Sequence, residues 1–279
     1  MINLKVLEAG ANIELGAGTF GTVHLQKYAG TPVAVKRIRP QFIQALQKEV
    51  ENLALLTHPN IISMIAFNNE FIVMAAADGN AGKVNSMKEL SIVGRDCMRA
   101  LSYMQTHGNC MMHADLKPDN ILVYKNNGII TRAVLGDVGL AGGCNMGRGF
   151  VGTPGYMPDD DIPISGFDDI FALAVSLLDA AFHETRVHTT FRQRDGMNYI
   201  PEDNTQQYVQ KMANENPKFA KIISFMLQAR VTRASRELDI TQFMSSLIKG
   251  FETLVDESSK TVSERIPSFV NSGFEGIVN

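Results

Sequence analysis

The segment His113-Ala114-Asp115-Leu116-Lys117-Pro118-Asp119-Asn120 limits this chain more than any other stretch. It sets an aspartate, a lysine and an asparagine within six residues, with Pro118 stiffening the loop that carries them. A carboxylate that accepts a hydroxyl proton, an ammonium that neutralises a moving phosphoryl group and an amide that binds Mg2+ are what phosphoryl transfer demands. Asp115, Lys117 and Asn120 fit those roles in that order. Asn120-Ile121-Leu122-Val123 then returns to an apolar strand, and Asn126-Asn127-Gly128 predicts a hairpin. Gly136-Asp137-Val138-Gly139 follows, where Asp137 is the candidate second metal ligand and the glycines permit tight backbone geometry. An isolated Asp-Val-Gly is an ordinary turn; its position after this loop and hairpin favours the metal role.

A second phosphate-type signal lies upstream. Gly16-Ala17-Gly18-Thr19-Phe20-Gly21-Thr22-Val23 matches a GxGxxGxV loop, whose glycines let backbone N–H groups approach anionic oxygens. A dinucleotide fingerprint shares those glycines but opens a helix. Here strand residues follow, and Val33-Ala34-Val35-Lys36 arrives on the next strand. A lysine ending an apolar strand is usually a snorkelling surface residue. Lys36 has a candidate partner, however, because Phe42 to Leu56 reads as a helix with Phe42, Leu46, Val50 and Leu53 on one face. Glu49 shares that inward face, where a carboxylate would need a cation, with a solvated helix residue as the alternative reading; Glu51 points elsewhere.

The remaining pattern divides the chain. Its first third reads as strands, with further strands at Ile61–Phe67 and Phe71–Ala75, and Asp78 to Val84 reads as a linker. Beyond it, helices are expected at Met87–His107, Asp168–Phe182, Gln206–Met226 and Ile240–Phe251, with a polar, poorly ordered tail from Glu257. A length of 279 residues suits one large domain or two joined lobes, and 45% apolar with 20% charged residues suits a globular enzyme. A net charge of −3 gives no ground for nucleic-acid binding through bulk electrostatics. Cys97, Cys110 and Cys144 lack metal-ligand spacing and are expected as free thiols. With no secretory pattern in residues 1–30, and an apolar run from Phe171 to Phe182 too short for a bilayer, no membrane role and an intracellular location (cytoplasmic, nuclear or both) are expected.

Together these residues resemble a eukaryotic-type serine/threonine protein kinase, over roughly Leu15 to Phe243. His58-Pro59-Asn60-Ile61-Ile62 resembles the turn after the family's regulatory helix, and counting back from it again selects Glu49. Gly152-Thr153-Pro154-Gly155-Tyr156 resembles the end of the activation segment, and Asp169 the aspartate that braces the catalytic-loop backbone. Arg233 resembles the late arginine that pairs with the acidic residue closing that segment, here Asp159. Lys117 and the Gly-Thr-Pro-Gly-Tyr run are the serine/threonine forms of their motifs.

The resemblance implies an α+β, two-lobed fold. A small β-rich N-lobe with one regulatory helix would span residues 1–77, a larger helical C-lobe residues 78–256, and a tail residues 257–279. It implies ATP over Gly16, Gly18 and Gly21, with Val23, Ala34 and Leu122 around the adenine. Met74 would be the gatekeeper and Ala75 to Ala77 the hinge, with Ala76 meeting the base. It implies Mg2+ on Asn120 and Asp137, catalysis by Asp115, Lys117, Lys36 and Glu49, and a protein substrate with a serine or threonine acceptor.

Four departures qualify the resemblance. Ala114 stands where many kinases carry a phosphate-gathering arginine, and residues 138–151 contain no hydroxyl side chain, so activity is expected without activation-loop phosphorylation. Val138 replaces a phenylalanine, predicting looser packing under the regulatory helix. Asp159 replaces a glutamate, and Phe171 with Ala174 replaces the usual tryptophan and glycine of that helix. The rival readings are an ATP-binding pseudokinase or scaffold, a small-molecule phosphotransferase and a non-enzymatic interaction module. The protein substrate, its sequence preference and the oligomeric state stay open.

Overall fold

A computed structural model describes residues 7–18, 20–107, 110–143, 152–157, 165–183, 189–194, 198–203, 205–235 and 238–259. Three strands, β1 (Leu7–Ala17), β2 (Gly21–Tyr28) and β3 (Thr31–Ile38), open the chain. Helix α1 (Ile43–Leu55) follows, then β4 (Met64–Phe67) and β5 (Phe71–Ala75). The five strands form one antiparallel sheet in the order β1-β2-β3-β5-β4. Helix α1 buries Leu46, Glu49, Val50, Asn52 and Leu53, one face at the spacing of an amphipathic helix. Two of those five are polar, which the site explains.

After β6 (Gly79–Asn80) come α2 (Met87–His107), β7 (Met111–Met112), β8 (Ile121–Asn126), β9 (Ile129–Leu135) and β10 (Gly142–Gly143). The loop expected to transfer phosphate thus runs from β7 to β8. The β8–β9 turn is the predicted hairpin, with Asn127 at φ 51° and Gly128 at φ 80°, the conformation Asn-Gly supplies in a tight turn. Two buried acids on α2 fasten the helix to β9. Glu89 accepts from the Ile130 amide at 2.7 Å and Asp96 from the Ala133 amide at 3.0 Å. Those bonds satisfy donors that β8 does not reach.

Helix α3 (Gly166–Phe182) is apolar almost all round and buried almost all round, as a central core helix must be. Ser165 and Asp168 form its capping box. The hairpin β11 (Thr189–Arg194) and β12 (Asn198–Asp203) follows, then α4 (Thr205–Glu215), α5 (Pro217–Ser235) and α6 (Ile240–Glu257). Among the described residues, no helix is long and apolar enough to cross a membrane.

Several expectations change. Ile61 to Ser63 lies outside β4; instead Ile61 bridges Leu135, and the Ile62 amide donates to the Leu135 carbonyl at 2.8 Å. The turn after α1 is therefore stitched to the end of β9. The helix expected at Gln206–Met226 is two helices, because Asn216-Pro217 interrupts it. Pro217 sits at the first position of α5, where its missing N–H costs nothing, and Asn216 Oδ1 accepts from the Phe219 amide at 2.9 Å. Helix α6 runs on to Glu257. The expectation of three free thiols is corrected: Cys97 is free and buried, but Cys110 is disulfide-bonded. Linear spacing carries no information about which cysteines meet in space.

Gly94 on α2 tests the core. A Cβ there would lie 2.6 Å from the Phe251 ring, which is fully buried against Phe219. Gly94→Ala gains about 1 kcal/mol of helix propensity, against about 1–3 kcal/mol of overpacking. The expected outcome is a net loss of up to about 2 kcal/mol, read from the shift in the urea unfolding midpoint.

Candidate active site

The site lies where the sheet, α1 and the β7–β10 segment meet. Lys36 leaves β3 and is buried, with its Nζ 2.9 and 2.7 Å from the two Glu49 carboxylate oxygens and 2.8 Å from Asp137 Oδ1. The structure therefore joins the predicted strand lysine, helix glutamate and metal aspartate in one cluster. Burial alone would lower the Lys36 ammonium's pKa, but Glu49 and Asp137 outweigh it and raise it. Burial lifts the Glu49 carboxyl above its ordinary range, and Lys36 only partly offsets this. Burial would raise Asp137 as well, yet Lys36, aided by His113 and Lys117, holds it below the usual carboxylate range.

Asp137 reaches this position with φ 51° and ψ 62°, left-handed backbone that a non-glycine residue adopts only under constraint. Gly136 beside it donates its amide to the Asn120 carbonyl at 2.8 Å, which brings both expected metal ligands to one place.

The catalytic-loop residues form a second cluster. The Asp115 carboxylate accepts from Lys117 Nζ at 3.0 Å and Asn120 Nδ2 at 3.0 Å on Oδ2, and from Thr153 Oγ1 at 2.6 Å on Oδ1. Lys117 also donates to Thr153 Oγ1 at 2.7 Å. Asn120 Nδ2 reaches the Asp115 carbonyl at 2.7 Å, which turns its Oδ1 away as a free oxygen ligand. Asn120 Oδ1 and the Asp137 carboxylate are hard oxygen donors that suit Mg2+, an ion usually held by one or two protein groups plus phosphates. Among the described residues no group of three or more His, Cys, Asp or Glu forms a self-sufficient metal cage.

Asp169 fixes the loop from beneath. Its two oxygens accept from the His113 amide at 2.7 Å and the Ala114 amide at 3.0 Å. Ala114 stands at φ 65°, strained for a residue with a Cβ. His113, fully buried, accepts from the Asp115 amide through Nδ1 at 3.4 Å and meets the Gly136 carbonyl through Nε2 at 2.8 Å. That network assigns the proton to Nε2 and links the catalytic loop to the metal turn.

The glycine loop joins β1 to β2, strand to strand as the sequence requires, with the Gly18 amide donating to the Gly21 carbonyl at 2.9 Å. Its glycines differ in kind. A Cβ on Gly16 or Gly18 would meet nothing within 4 Å, whereas one on Gly21 would lie 1.9 Å from the Arg37 carbonyl oxygen. Gly21 is demanded by the β2–β3 contact, and the other two leave open space for a ligand. Val23 pairs with Lys36, and Ala34 pairs with Met74. Ala75 ends β5 and Ala76 and Ala77 lead towards β6, while Leu122 on β8 pairs with Asn80 on β6. Asp159 and the side chain of Arg233 lie outside the described residues, as do 144–151 of the hydroxyl-free stretch. Sequence reasoning gave no role to Thr153, which lies 36 residues from its partner Lys117. It also passed over Asn52, although three residues from Glu49 places it on the same buried face.

A family model described as the protein kinase domain matches residues 11–249. The chain is 30% identical to serine/threonine-protein kinase TIO of Arabidopsis thaliana over 239 residues, which are 74% of this chain and 18% of that protein. It is 29% identical over 218 residues to probable serine/threonine-protein kinase kinX of Dictyostelium discoideum, covering 68% of this chain and 19% of that protein. It is 31% identical over 144 residues to serine/threonine-protein kinase VIK of Arabidopsis thaliana, covering 46% of this chain and 32% of that protein. The chain thus spans a fifth to a third of the length of these relatives.

Removing the ammonium isolates a buried carboxylate. Lys36→Met is expected to destabilise the protein by about 3–5 kcal/mol, and adding Glu49→Gln to recover much of that loss. Chemical denaturation of both single variants and the double variant measures the coupling.

Proposed function

The chain belongs to the protein kinase family, and from that premise we propose that it transfers the γ-phosphate of ATP to serine or threonine hydroxyls of a protein substrate. The observation that carries this reading is Lys36, buried and held at once by Glu49 and Asp137. The arrangement aims one ammonium at the place where phosphate oxygens and a metal ligand must meet. The lobes are proposed to divide at residues 77 and 78, with Gly16, Gly18, Gly21, Val23, Ala34, Met74, Ala76 and Leu122 around the nucleotide. An intracellular location is part of the same reading.

In the proposed reaction the substrate hydroxyl attacks the γ-phosphorus, its O–H proton passes to the Asp115 carboxylate, and the bond from γ-phosphorus to the bridging oxygen breaks to release ADP. A carboxylate offers about four acceptor sites. Thr153, Lys117 and Asn120 occupy three on Asp115, so the second site on Oδ1 remains for the incoming hydroxyl. Lys117 offsets negative charge gathering on the transferred group. Mg2+ held by Asn120 and Asp137 would draw charge from the phosphate oxygens. Lys36 would orient the nucleotide phosphates, with Glu49 fixing its ammonium.

The same geometry supports activity without activation-loop phosphorylation. Ala114 offers only a methyl group where a phosphate would need a cation, and Asp169 holds the Ala114 backbone without outside help. Transfer of labelled phosphate from ATP to a degenerate serine/threonine peptide library tests both parts. Asp115→Asn should lower the rate by about 10²–10⁴-fold. Phosphatase treatment of the wild-type protein should leave the rate unchanged, and loss of activity on that treatment would refute phosphate-independent activity. Absence of transfer by the untreated protein would favour a nucleotide-binding scaffold.

A further inference from the structure

We propose that Asn52 is a positioning residue, a latch that makes helix α1 and the metal-binding turn move as one body; this rests on the kinase reading of the site. Asn52 follows Glu49 by three residues on the same face and is only 6% exposed. Its Nδ2 donates to the Val138 carbonyl at 2.7 Å and to the Ala141 carbonyl at 3.1 Å. Both amide hydrogens are therefore spent on backbone more than 80 residues away in sequence.

Those two carbonyls bracket the short 3-10 turn Val138–Leu140 that follows Asp137. The Ala141 amide closes the turn on the Val138 carbonyl at 3.0 Å, so that one oxygen receives both the turn's own bond and the helix's. Asp137 sits immediately before, in left-handed backbone that surrounding contacts must hold in place. Lys36 holds its side chain. Asn52 holds the backbone of the turn that follows.

The helix thus meets the turn on two successive rungs. At the first, a Cβ on Gly139 would come within 3.6 Å of Glu49 Oε2 and 3.4 Å of Asp137 Oδ1, so Glu49 lies directly against the turn. At the second stands Asn52. A helix that swings outwards must give up both Asn52 bonds as well as break the Lys36 pair. The Val138 carbonyl keeps the Ala141 amide, but the Ala141 carbonyl and the Asn52 amide lose these partners, and unmet buried polar groups are costly. Val138 itself is fully buried, with Asn52 bonded to its carbonyl.

The test uses the full chain with Asn52→Leu, which keeps the branching at Cγ and removes both donors, and Asn52→Ser as a smaller side chain should the leucine variant not fold. Backbone hydrogen exchange of the ligand-free protein is read at residues 136–141, with residues 90–104 of α2 as the internal reference. Exchange at 136–141 is expected to rise about 5- to 100-fold while α2 stays unchanged. In phosphotransfer assays the half-saturating Mg2+-ATP concentration is expected to rise, with KM for the acceptor peptide unchanged. Unaltered exchange at 136–141, or equal acceleration in both regions, overturns the latch. If the exchange result holds while the wild-type protein transfers no phosphate, the kinase reading fails and the latch stands.

Discussion

Everything in the site depends on the buried Lys36 ammonium and the two carboxylates around it. A cation taken out of water is unfavourable unless opposite charge lies in contact with good geometry. Here the partners come from different elements: Glu49 from α1 and Asp137 from the turn after β9. The pair with Glu49 is almost fully buried, while Asp137 keeps nearly half of its side chain exposed. That asymmetry suits their roles. Among the described residues Glu49 forms its side-chain bonds with Lys36 alone, whereas Asp137 retains an exposed face, as the proposed metal role requires.

A second chain of contacts leads into this cluster from below. Helix α3 is buried because it is apolar on nearly every face, and its Asp169 is buried with it. A carboxylate so placed must find donors, and the strained His113-Ala114 backbone presents two amides to it. His113 passes the constraint on through the Gly136 carbonyl, and Gly136 leads directly to Asp137. Core packing, loop strain and the ionic cluster are thus consecutive links. The strain at Ala114 and at Asp137 is held where each residue lies between such anchors.

Much of this was legible in residue order, for identifiable reasons. Periodicity alone put Glu49 on the face of α1 that carries Leu46, Val50 and Leu53, because helix geometry is local. The strand-to-strand setting of the glycine loop and the Asn127-Gly128 turn were legible for the same reason. What stayed hidden was made by distant pairs. Thr153 meets Asp115 across 38 residues, and Asn60 donates its side chain to the Ala133 carbonyl across 73. No spacing rule reaches so far. Asn216-Pro217 was a different failure, a local break that the surrounding apolar pattern concealed. Gly21 lies between these cases: its membership of the loop could be read, but its steric necessity against Arg37 could not.

The position of Thr153 bears on how such a site becomes competent. Its hydroxyl donates to Asp115 and accepts from Lys117, so the segment from Gly152 to Tyr156 is tied to the two residues proposed to carry the chemistry. Tyr156 anchors the other end through a 2.6 Å bond to the buried Asp179 of α3. The segment is thus held at Thr153 by Asp115 and Lys117 and at Tyr156 by Asp179. Phosphorylation orders a loop by creating ion pairs that the unmodified chain lacks. Here the hydroxyls of Thr153 and Tyr156, bonded to charged side chains, tie the segment to the Asp115–Lys117 pair and to α3. The segment from Thr153 to Tyr156 is then anchored on the same α3 helix that holds the His113-Ala114 backbone.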